Sequence, residues 1–220
     1  MSAPPATRLL LVRHGEAEVA VRRIVGGERS CTGLSELGRA QAQRLAERFA
    51  AGHEPPVDVL YASTLPRARE TAEALAPVLG LDVLVESELV ELRPGEADGL
   101  GWDEVTERFA PDPDRDPFTP LAPGAESRAV FHQRALTALM ELARRHDGAT
   151  IVVACHGGVV DAALRYVLGL GLLAPLEVWT RNCSITEVAL GGPAGERRRW
   201  RLVRYNDFAH LGGLPHATER

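Results

Sequence analysis

Arg8-Leu-Leu-Leu-Val-Arg-His-Gly-Glu16 is the stretch that decides the fold of this 220-residue chain. Leu9 to Val12 form a continuous apolar run bounded by polar residues, which is typical of a buried strand in a parallel sheet. A cation, an imidazole, a glycine and a carboxylate follow directly, from Arg13 to Glu16. Because ligands bind outside the carboxyl ends of strands in open α/β sheets, we predict that this end of the strand carries chemistry.

Strand-like and helix-like segments alternate through the first 170 residues. Five more segments have the composition of strands: residues 57–62, 81–85, 150–154, 183–190 and 200–205. The alternation predicts right-handed βαβ units and a mostly parallel sheet. The last two strands are joined by a hairpin-like loop and are expected to be antiparallel. We therefore predict an α/β fold, a three-layer α/β/α sandwich that forms a single domain over residues 1–220.

Two segments break the alternation. Residues 17–33 are rich in Gly and Arg and are predicted to be irregular. Residues 102–109 have the pattern of a short helix, and residues 111–123 contain five of the 15 prolines. We expect residues 111–123 to be a long insertion without a core of its own, within an insertion or lid at about residues 100–126. In a compact domain such a segment is often a binding loop or a lid.

Composition excludes several classes of protein. The net charge of −5 argues against nucleic acid or an anionic membrane as the main partner. No apolar run reaches the roughly 20 residues that a membrane span needs. The three cysteines are far apart and include no CxxC pair, so neither a disulfide framework nor a zinc site is indicated. A cytoplasmic location is the default expectation.

Polar side chains follow the end of each of the four parallel strands. They are Arg13 and His14 after the first strand, Ser63 and Arg67 after the second, Glu88, Glu91 and Arg93 after the third, and His156 after the fourth. Each of them alone is more often a structural residue than a catalytic one. Because the four strand ends face one crevice, however, two histidines, two arginines and a carboxylate are predicted to converge there.

This set of groups suits the chemistry of a phosphoryl group. Arginines offer forked donors to phosphate oxygens, and Gly157-Gly158 opens a helix whose N–H groups favour an anion. A neutral imidazole can attack phosphorus, and a protonated carboxyl can give its proton to the leaving oxygen. The sequence has no P-loop and no metal-ligand spacing, so we expect cationic side chains to replace Mg²⁺ and expect no metal or cofactor.

The sequence resembles the histidine phosphatase superfamily, also called the phosphoglycerate mutase-like family. Arg13-His-Gly-Glu16 is similar to its signature, and further motifs of the family follow in order along nearly the whole chain. They are residues 33–42, 61–72, 89–99, 123–127, 154–158 and 182–186. The ordered set is far more specific than the first motif alone.

The resemblance implies a role for each of the converging residues. His14 is expected to be the phosphorylated nucleophile, and Glu91 the proton donor, with Glu88 as the second candidate. Arg13, Arg67 and His156, together with the Gly157 N–H, are expected to hold the phosphoryl oxygens. We expect a mildly acidic, bell-shaped pH optimum, because His14 must be neutral while Glu91 is protonated.

Two positions depart from the family pattern. Many relatives have an Asn six residues after the nucleophile, where this chain has Ala20. Arg22, Arg23 and Arg29 are the candidates to replace it, and we take Arg22, Arg23 and Ser63 as candidate substrate-binding residues. The acid loop, residues 89–99, has Ala97 and Asp98 where relatives usually have an aromatic residue and a Glu, which leaves the substrate open.

Three functions remain in competition. The first is a metal-independent phosphatase of small phosphorylated metabolites. The second is a phosphoglycerate mutase, which would need a grip on a substrate carboxylate. The acidic, proline-rich residues 111–123, with the single Arg115, provide a poor one. The third is a non-catalytic phosphate-binding or scaffold protein on the same fold. Whether the chain forms a homodimer is open.

Overall fold

The computed structural model describes residues 6–110, 115–191 and 197–215. Its centre is a six-stranded sheet with the order β3-β2-β4-β1-β5-β6. The strands are β1 (Thr7–Arg13), β2 (Val59–Ala62), β3 (Val83–Val85), β4 (Thr150–Cys155), β5 (Ile185–Gly191) and β6 (Arg199–Asp207). The first four strands are mutually parallel, whereas β5 runs antiparallel to β1 and to β6. The predicted mixed sheet is therefore confirmed; the loop between β5 and β6, residues 192–196, lies outside the described residues.

Six α-helices lie in the described part of the chain. They are α1 (Glu18–Val21), α2 (Glu36–Ala50), α3 (Pro66–Leu79), α4 (Trp102–Phe109), α5 (Arg128–Arg145) and α6 (Gly157–Leu168). Short 3-10 turns cover Ser87–Leu89, Gly95–Ala97 and Ala209–Leu211. No helix in the described residues combines the length and the apolar composition that a membrane span requires.

Local sequence signals set the starts of the long helices. The hydroxyl of Ser35 accepts a hydrogen bond from the Gly38 N–H at 3.0 Å, and that of Ser127 accepts one from the Val130 N–H at 3.3 Å. Both are N-cap bonds that satisfy an amide with no acceptor inside its helix. Helix α3 begins at Pro66, where the missing N–H has no cost.

The two faces of the sheet carry separate apolar layers. Leu9 and Leu11 of β1 point to one face and pack with the buried stripes of α5 and α6. Leu10 and Val12 point to the other face and pack with α2 and α3. Because successive residues of β1 point to opposite faces and both faces are covered by helices, the whole run is apolar. With helices on both faces, the fold is the predicted α/β/α sandwich.

The structure changes the interpretation of the two irregular segments. Residues 18–21 form the short helix α1, which the sequence analysis missed. A small apolar cluster joins the two segments: Val105 and Ala122 of the insertion are buried together with Val25 and Ala97. Ala122, the member of this cluster from residues 111–123, thus packs against α4 and the 95–97 turn. Residues 111–114 lie outside the described residues.

Candidate active site

The sheet register brings two histidines side by side. Arg13 lies opposite Cys155 in the parallel β1–β4 pair, so the next residues, His14 and His156, leave the sheet at the same level. The centroids of the two imidazole rings are 5.2 Å apart, and the rings are arranged edge to face. Both side chains are buried. The predicted convergence of strand ends therefore occurs at the centre of the sheet.

The hydrogen bonds of His14 define its tautomer. Its Nδ1 lies 2.6 Å from the Gly15 carbonyl oxygen, which can only accept, so Nδ1 carries the proton. Its Nε2 accepts a hydrogen bond from Arg67 Nε at 3.0 Å and is therefore unprotonated, with its lone pair directed to that guanidinium. Burial, and then the charges of Arg67 and Arg13, lower the pKa of His14 well below its ordinary value of 6.5. The imidazole is thus a neutral group with Nε2 available as a nucleophile.

Backbone bonds hold the turn that carries His14. The Gly15 N–H donates to Thr71 Oγ1 at 3.1 Å, and Asn182 Nδ2 donates to the His14 carbonyl at 3.0 Å. A Cβ on Gly15 would lie 2.5 Å from the Gly38 carbonyl oxygen, so only glycine fits there. The sequence analysis missed the roles of Thr71 and Asn182, although Asn182 belongs to a motif that resembles the family.

Two arginines place positive charge around His14. Arg67 lies in the first turn of α3, is buried, and also donates through Nη1 to the Gly26 carbonyl at 3.1 Å. Arg13, at the end of β1, donates to the Thr180 carbonyl. The charges of both guanidiniums also lower the pKa of His156, after burial as the largest cause. The site therefore favours a bound anion over a further proton.

Ser63 makes a hydrogen bond to the ring of His156. The Ser63 hydroxyl lies 2.7 Å from His156 Nε2, and both side chains are fully buried. The same hydroxyl oxygen accepts from the Leu65 N–H at 3.3 Å, which leaves its proton for His156. Within the described parts of the chain, His156 Nδ1 has no hydrogen-bond partner. Ser63, a candidate substrate-binding residue from the sequence, is bonded to His156, so that Nδ1 carries the proton of that ring.

Glu91 lies at the N-terminus of α6. Its Oε2 accepts from the Gly158 N–H at 3.1 Å, and its Oε1 accepts from the Leu92 N–H at 3.0 Å. Gly157, as the first residue of α6, has an N–H with no acceptor inside the helix. The other carboxylate candidate, Glu88, is exposed and pairs with Arg93 at 3.2 Å. The geometry favours Glu91 over Glu88 as the acid.

A cleft of about 430 Å³ opens beside Glu91. Charged residues on its walls include Arg29, Arg93 and Asp98, and its apolar walls include Leu65, Val90, Leu92, Pro94 and Pro123. Asp98 fixes the neighbouring loop, because it accepts from the Gly27 N–H at 3.0 Å and from the Ser30 hydroxyl at 2.5 Å.

Of the other sequence candidates, Arg22 and Arg23 lie apart from this cleft, whereas Arg29 lies on its wall. Arg22 and Arg23 are exposed, and neither makes a side-chain hydrogen bond to the described residues. Arg29 is tied through Nη2 to the Gly95 carbonyl at 2.9 Å. Among the residues that the structure describes, no cluster of three His, Cys, Asp or Glu side chains could hold a metal ion.

Comparison with known proteins agrees with this geometry. Residues 9–207 match the model of the histidine phosphatase superfamily (branch 1). Phosphoserine phosphatase 1 of Hydrogenobacter thermophilus is 32% identical over 209 residues, which are 93% of this chain and 94% of that protein. Phosphoglycerate mutase-like protein 4 of Arabidopsis thaliana is 34% identical over 157 residues, 69% of this chain and 67% of that protein.

A solved structure agrees as well. Mycobacterial glucosyl-3-phosphoglycerate phosphatase superimposes with a TM-score of 0.76 at 28% identity, covering 91% of this chain and 99% of that one. The chain belongs to the histidine phosphatase superfamily. It is a phosphomonoester hydrolase, as its phosphatase relatives over nearly the whole length indicate.

Proposed function

We propose that His14 is the nucleophile of a two-step phosphatase. Nε2 of His14 attacks phosphorus, the bond to the leaving oxygen breaks, and Glu91 gives that oxygen a proton. Water then attacks the phosphohistidine, Glu91 takes the proton, and phosphate leaves with His14 restored. The observation that carries this proposal is the bond from Arg67 Nε to His14 Nε2 at 3.0 Å, which fixes the tautomer with its lone pair towards the cations.

The phosphoryl oxygens have four candidate donors. These are the guanidiniums of Arg13 and Arg67, Nδ1 of His156 and the N–H of Gly157. In a buried site such fixed donors stabilise the charge of the transition state without reorganisation. They do for the phosphoryl group what a metal ion does in other enzymes, so the proposed reaction uses no metal or cofactor.

The proposed substrate is a small phosphorylated metabolite whose leaving group occupies the cleft beside Glu91. Two observations support this: the cleft has a volume of about 430 Å³, and the named phosphatase relatives act on phosphoserine and on glucosyl-3-phosphoglycerate. The cleft walls carry both arginines, Arg29 and Arg93, and carboxylates, which include Glu28 and Glu96, and this mixture of donors and acceptors suits a leaving group with several hydroxyls.

The test is a substrate panel with release of inorganic phosphate as the readout. It includes O-phosphoserine, 3-phosphoglycerate, glucosyl-3-phosphoglycerate, glycerol phosphate and p-nitrophenyl phosphate, with the His14→Ala protein as the control. We expect phosphate release from at least one alkyl ester without any bisphosphoglycerate. Rapid isomerisation of 3-phosphoglycerate in the presence of 2,3-bisphosphoglycerate would favour the mutase instead. No turnover from pH 4 to 8 would favour the non-catalytic alternative.

The remaining proposals concern the surroundings of the site. We propose that residues 1–220 form one domain in which the segment at about 100–126 acts as a lid, supported by Pro123 and Gly124 on the cleft wall. Hydrogen exchange with and without phosphate tests the lid.

Arg22 and Arg23 are proposed to reach a large substrate; their replacement by Ala would then raise KM for that substrate.

Two further proposals concern the protein in the cell. We propose a homodimer formed through the edge strand β3, where Leu84 and Val85 are 43% and 49% exposed. Light scattering of the native protein and of Val85→Glu tests it.

A cytoplasmic location, free of nucleic-acid partners, is supported by the net charge and by three buried, unpaired cysteines. Cell fractionation tests the location.

A further inference from the structure

Arg134 of α5 makes no contact with the proposed phosphate site, yet it is one of the most fully bonded side chains nearby. Its side chain is 9% exposed. Nη1 donates to the Glu88 carbonyl at 2.6 Å and to the Val90 carbonyl at 3.1 Å. Nη2 makes a longer bond of 3.4 Å to the carbonyl of Glu91 itself. The Arg134 guanidinium thus binds the backbone carbonyls of two residues that precede Glu91 and the carbonyl of Glu91 itself.

Glu126 completes the arrangement on the other side. Its carboxylate binds Arg134 with both oxygens, at 2.8 Å to Nε and 2.7 Å to Nη2. It also accepts from the Arg93 N–H at 3.0 Å and from Arg93 Nη1 at 3.1 Å. Burial raises the pKa of Glu126, but the hydrogen bonds from Arg134 and Arg93 outweigh it and leave the pKa below its ordinary value. The carboxylate is therefore charged and anchors the residue two positions after Glu91.

The acid loop needs such an anchor because it has little regular structure. Between the 87–89 and 95–97 turns no helix or strand fixes the backbone. The Glu91 carboxylate itself is bonded to the N–H groups of Gly158 and Leu92. Its position relative to α6 thus depends on where the backbone of residues 88–93 lies. A general acid must stay within hydrogen-bond reach of the leaving oxygen, and a displacement of about 1 Å can cost 10²-fold in rate.

We propose that Arg134, through its fork on Glu126 and the carbonyls of residues 88–91, is a positioning residue for proton donation by Glu91. This inference deepens the proposed function and rests on the role given there to Glu91. It predicts a defect in a single feature of the reaction, the protonation of the leaving group. A purely structural role would lower activity on all substrates alike.

The test compares kcat/KM for two substrates that differ in their need for an acid. These are the fastest alkyl phosphate of the substrate panel and p-nitrophenyl phosphate, whose leaving group needs little protonation. In Arg134→Lys, which keeps the charge and loses the fork, we expect a loss of about 10²-fold on the alkyl ester and a much smaller loss on p-nitrophenyl phosphate. Glu126→Gln, a milder change, is expected to show the same selectivity. Arg144→Lys, an exposed arginine on the same helix, is the matched control.

A double-mutant cycle separates this inference from the proposed function. If Glu91→Gln itself shows no dependence on the leaving group, the acid assignment fails. If Glu91→Gln shows it, Arg134→Lys in the Glu91→Gln protein is expected to cause little further loss on the alkyl ester. Equal losses on both substrates in Arg134→Lys and Glu126→Gln, or independent losses in the cycle, would overturn the role of Arg134. Melting temperatures show whether each variant is folded. If Arg134→Lys is unfolded, the selectivity of Glu126→Gln between the two substrates decides whether the role of Arg134 stands.

Discussion

Arg67 Nε lies 3.0 Å from Nε2 of His14, the atom from which the proposed attack on phosphorus would come. The contact joins a residue at the end of one strand to a residue in the first turn of a helix 53 positions later. It gives His14 two properties at once. The imidazole presents its lone pair to the cations, and its pKa lies well below the ordinary value, first because the ring is buried and then because Arg67 and Arg13 disfavour a further positive charge.

The first prediction concerns the titration of His14. Replacing Arg67 by Met removes one of the charges that lower the pKa of His14, so the imidazole should titrate at a higher pH than in the native protein. NMR titration of the His14 ring measures this directly. Activity should fall by about 10²–10³-fold, because a donor to the transition state is lost. Arg69→Met, an exposed neighbour on α3, is the control. An unchanged His14 titration would contradict the coupling.

The second prediction concerns the tautomer of His156. Ser63→Ala removes the hydroxyl that bonds to Nε2, so that the proton is no longer directed to Nδ1. We expect a drop in kcat/KM and a destabilisation of about 1–3 kcal/mol from an unsatisfied buried group. The ¹⁵N shifts of the His156 ring should show mixed tautomers. Thr64→Ala, next to it in sequence, should leave the ring unchanged. A single Nδ1–H tautomer in Ser63→Ala would refute the role of Ser63.

The third prediction concerns the space between α6 and the acid. A Cβ added at Gly158 would lie 2.6 Å from Phe131 Cε1 and still closer to Glu91 Oε1, well inside van der Waals contact, so Gly158→Ala should displace the acid. Crowding of this kind costs about 1–3 kcal/mol in stability. The loss in kcat/KM should be larger for alkyl phosphates than for p-nitrophenyl phosphate. Gly171→Ala, where a Cβ meets nothing within 4 Å, is the control. Wild-type rates on both substrates would show that this contact is unimportant.

The fourth prediction concerns stability in acid. Burial, and then the charge of Arg48, lowers the pKa of His210 to about 4. The unfolded chain takes up this proton near pH 6.5, so the stabilisation is present above pH 6.5 and is lost as the pH falls towards 4. His210→Gln keeps a donor for the Cys183 carbonyl, and its melting temperature should fall less than that of the native protein between pH 7 and 4.5. His53→Gln, an exposed site, should follow the native curve. Parallel curves for native protein and His210→Gln would contradict the linkage.

The sequence predicted the sheet and its central site because both depend on local patterns. Leu9 to Val12 is a run that only a strand covered on both faces can bury, and the helices on each face satisfy it. His14, Arg67 and His156 could be expected together because each follows a strand of one sheet. The strand order itself, with β4 between β1 and β2, had no signal in the local patterns.

The supporting residues were not predictable for a physical reason. Asn182 and Arg134 bond to backbone carbonyls 168 and 46 positions away, and a carbonyl has no sequence identity to recognise. Ser63 was correctly placed near the site, but the side of the imidazole on which it lies depends on the packing of β2 against β4. The four-residue helix α1 is too short to show helical periodicity.

The central claim is a covalent phosphate on His14. The direct measurement is rapid quenching of the enzyme in base during turnover of ³²P-labelled substrate, followed by mass spectrometry of the peptide that contains residue 14. We predict one acid-labile, base-stable phosphate on His14, formed and lost at rates compatible with turnover and absent from His14→Ala. Turnover without such a species, or a phosphate on another residue, would contradict the account.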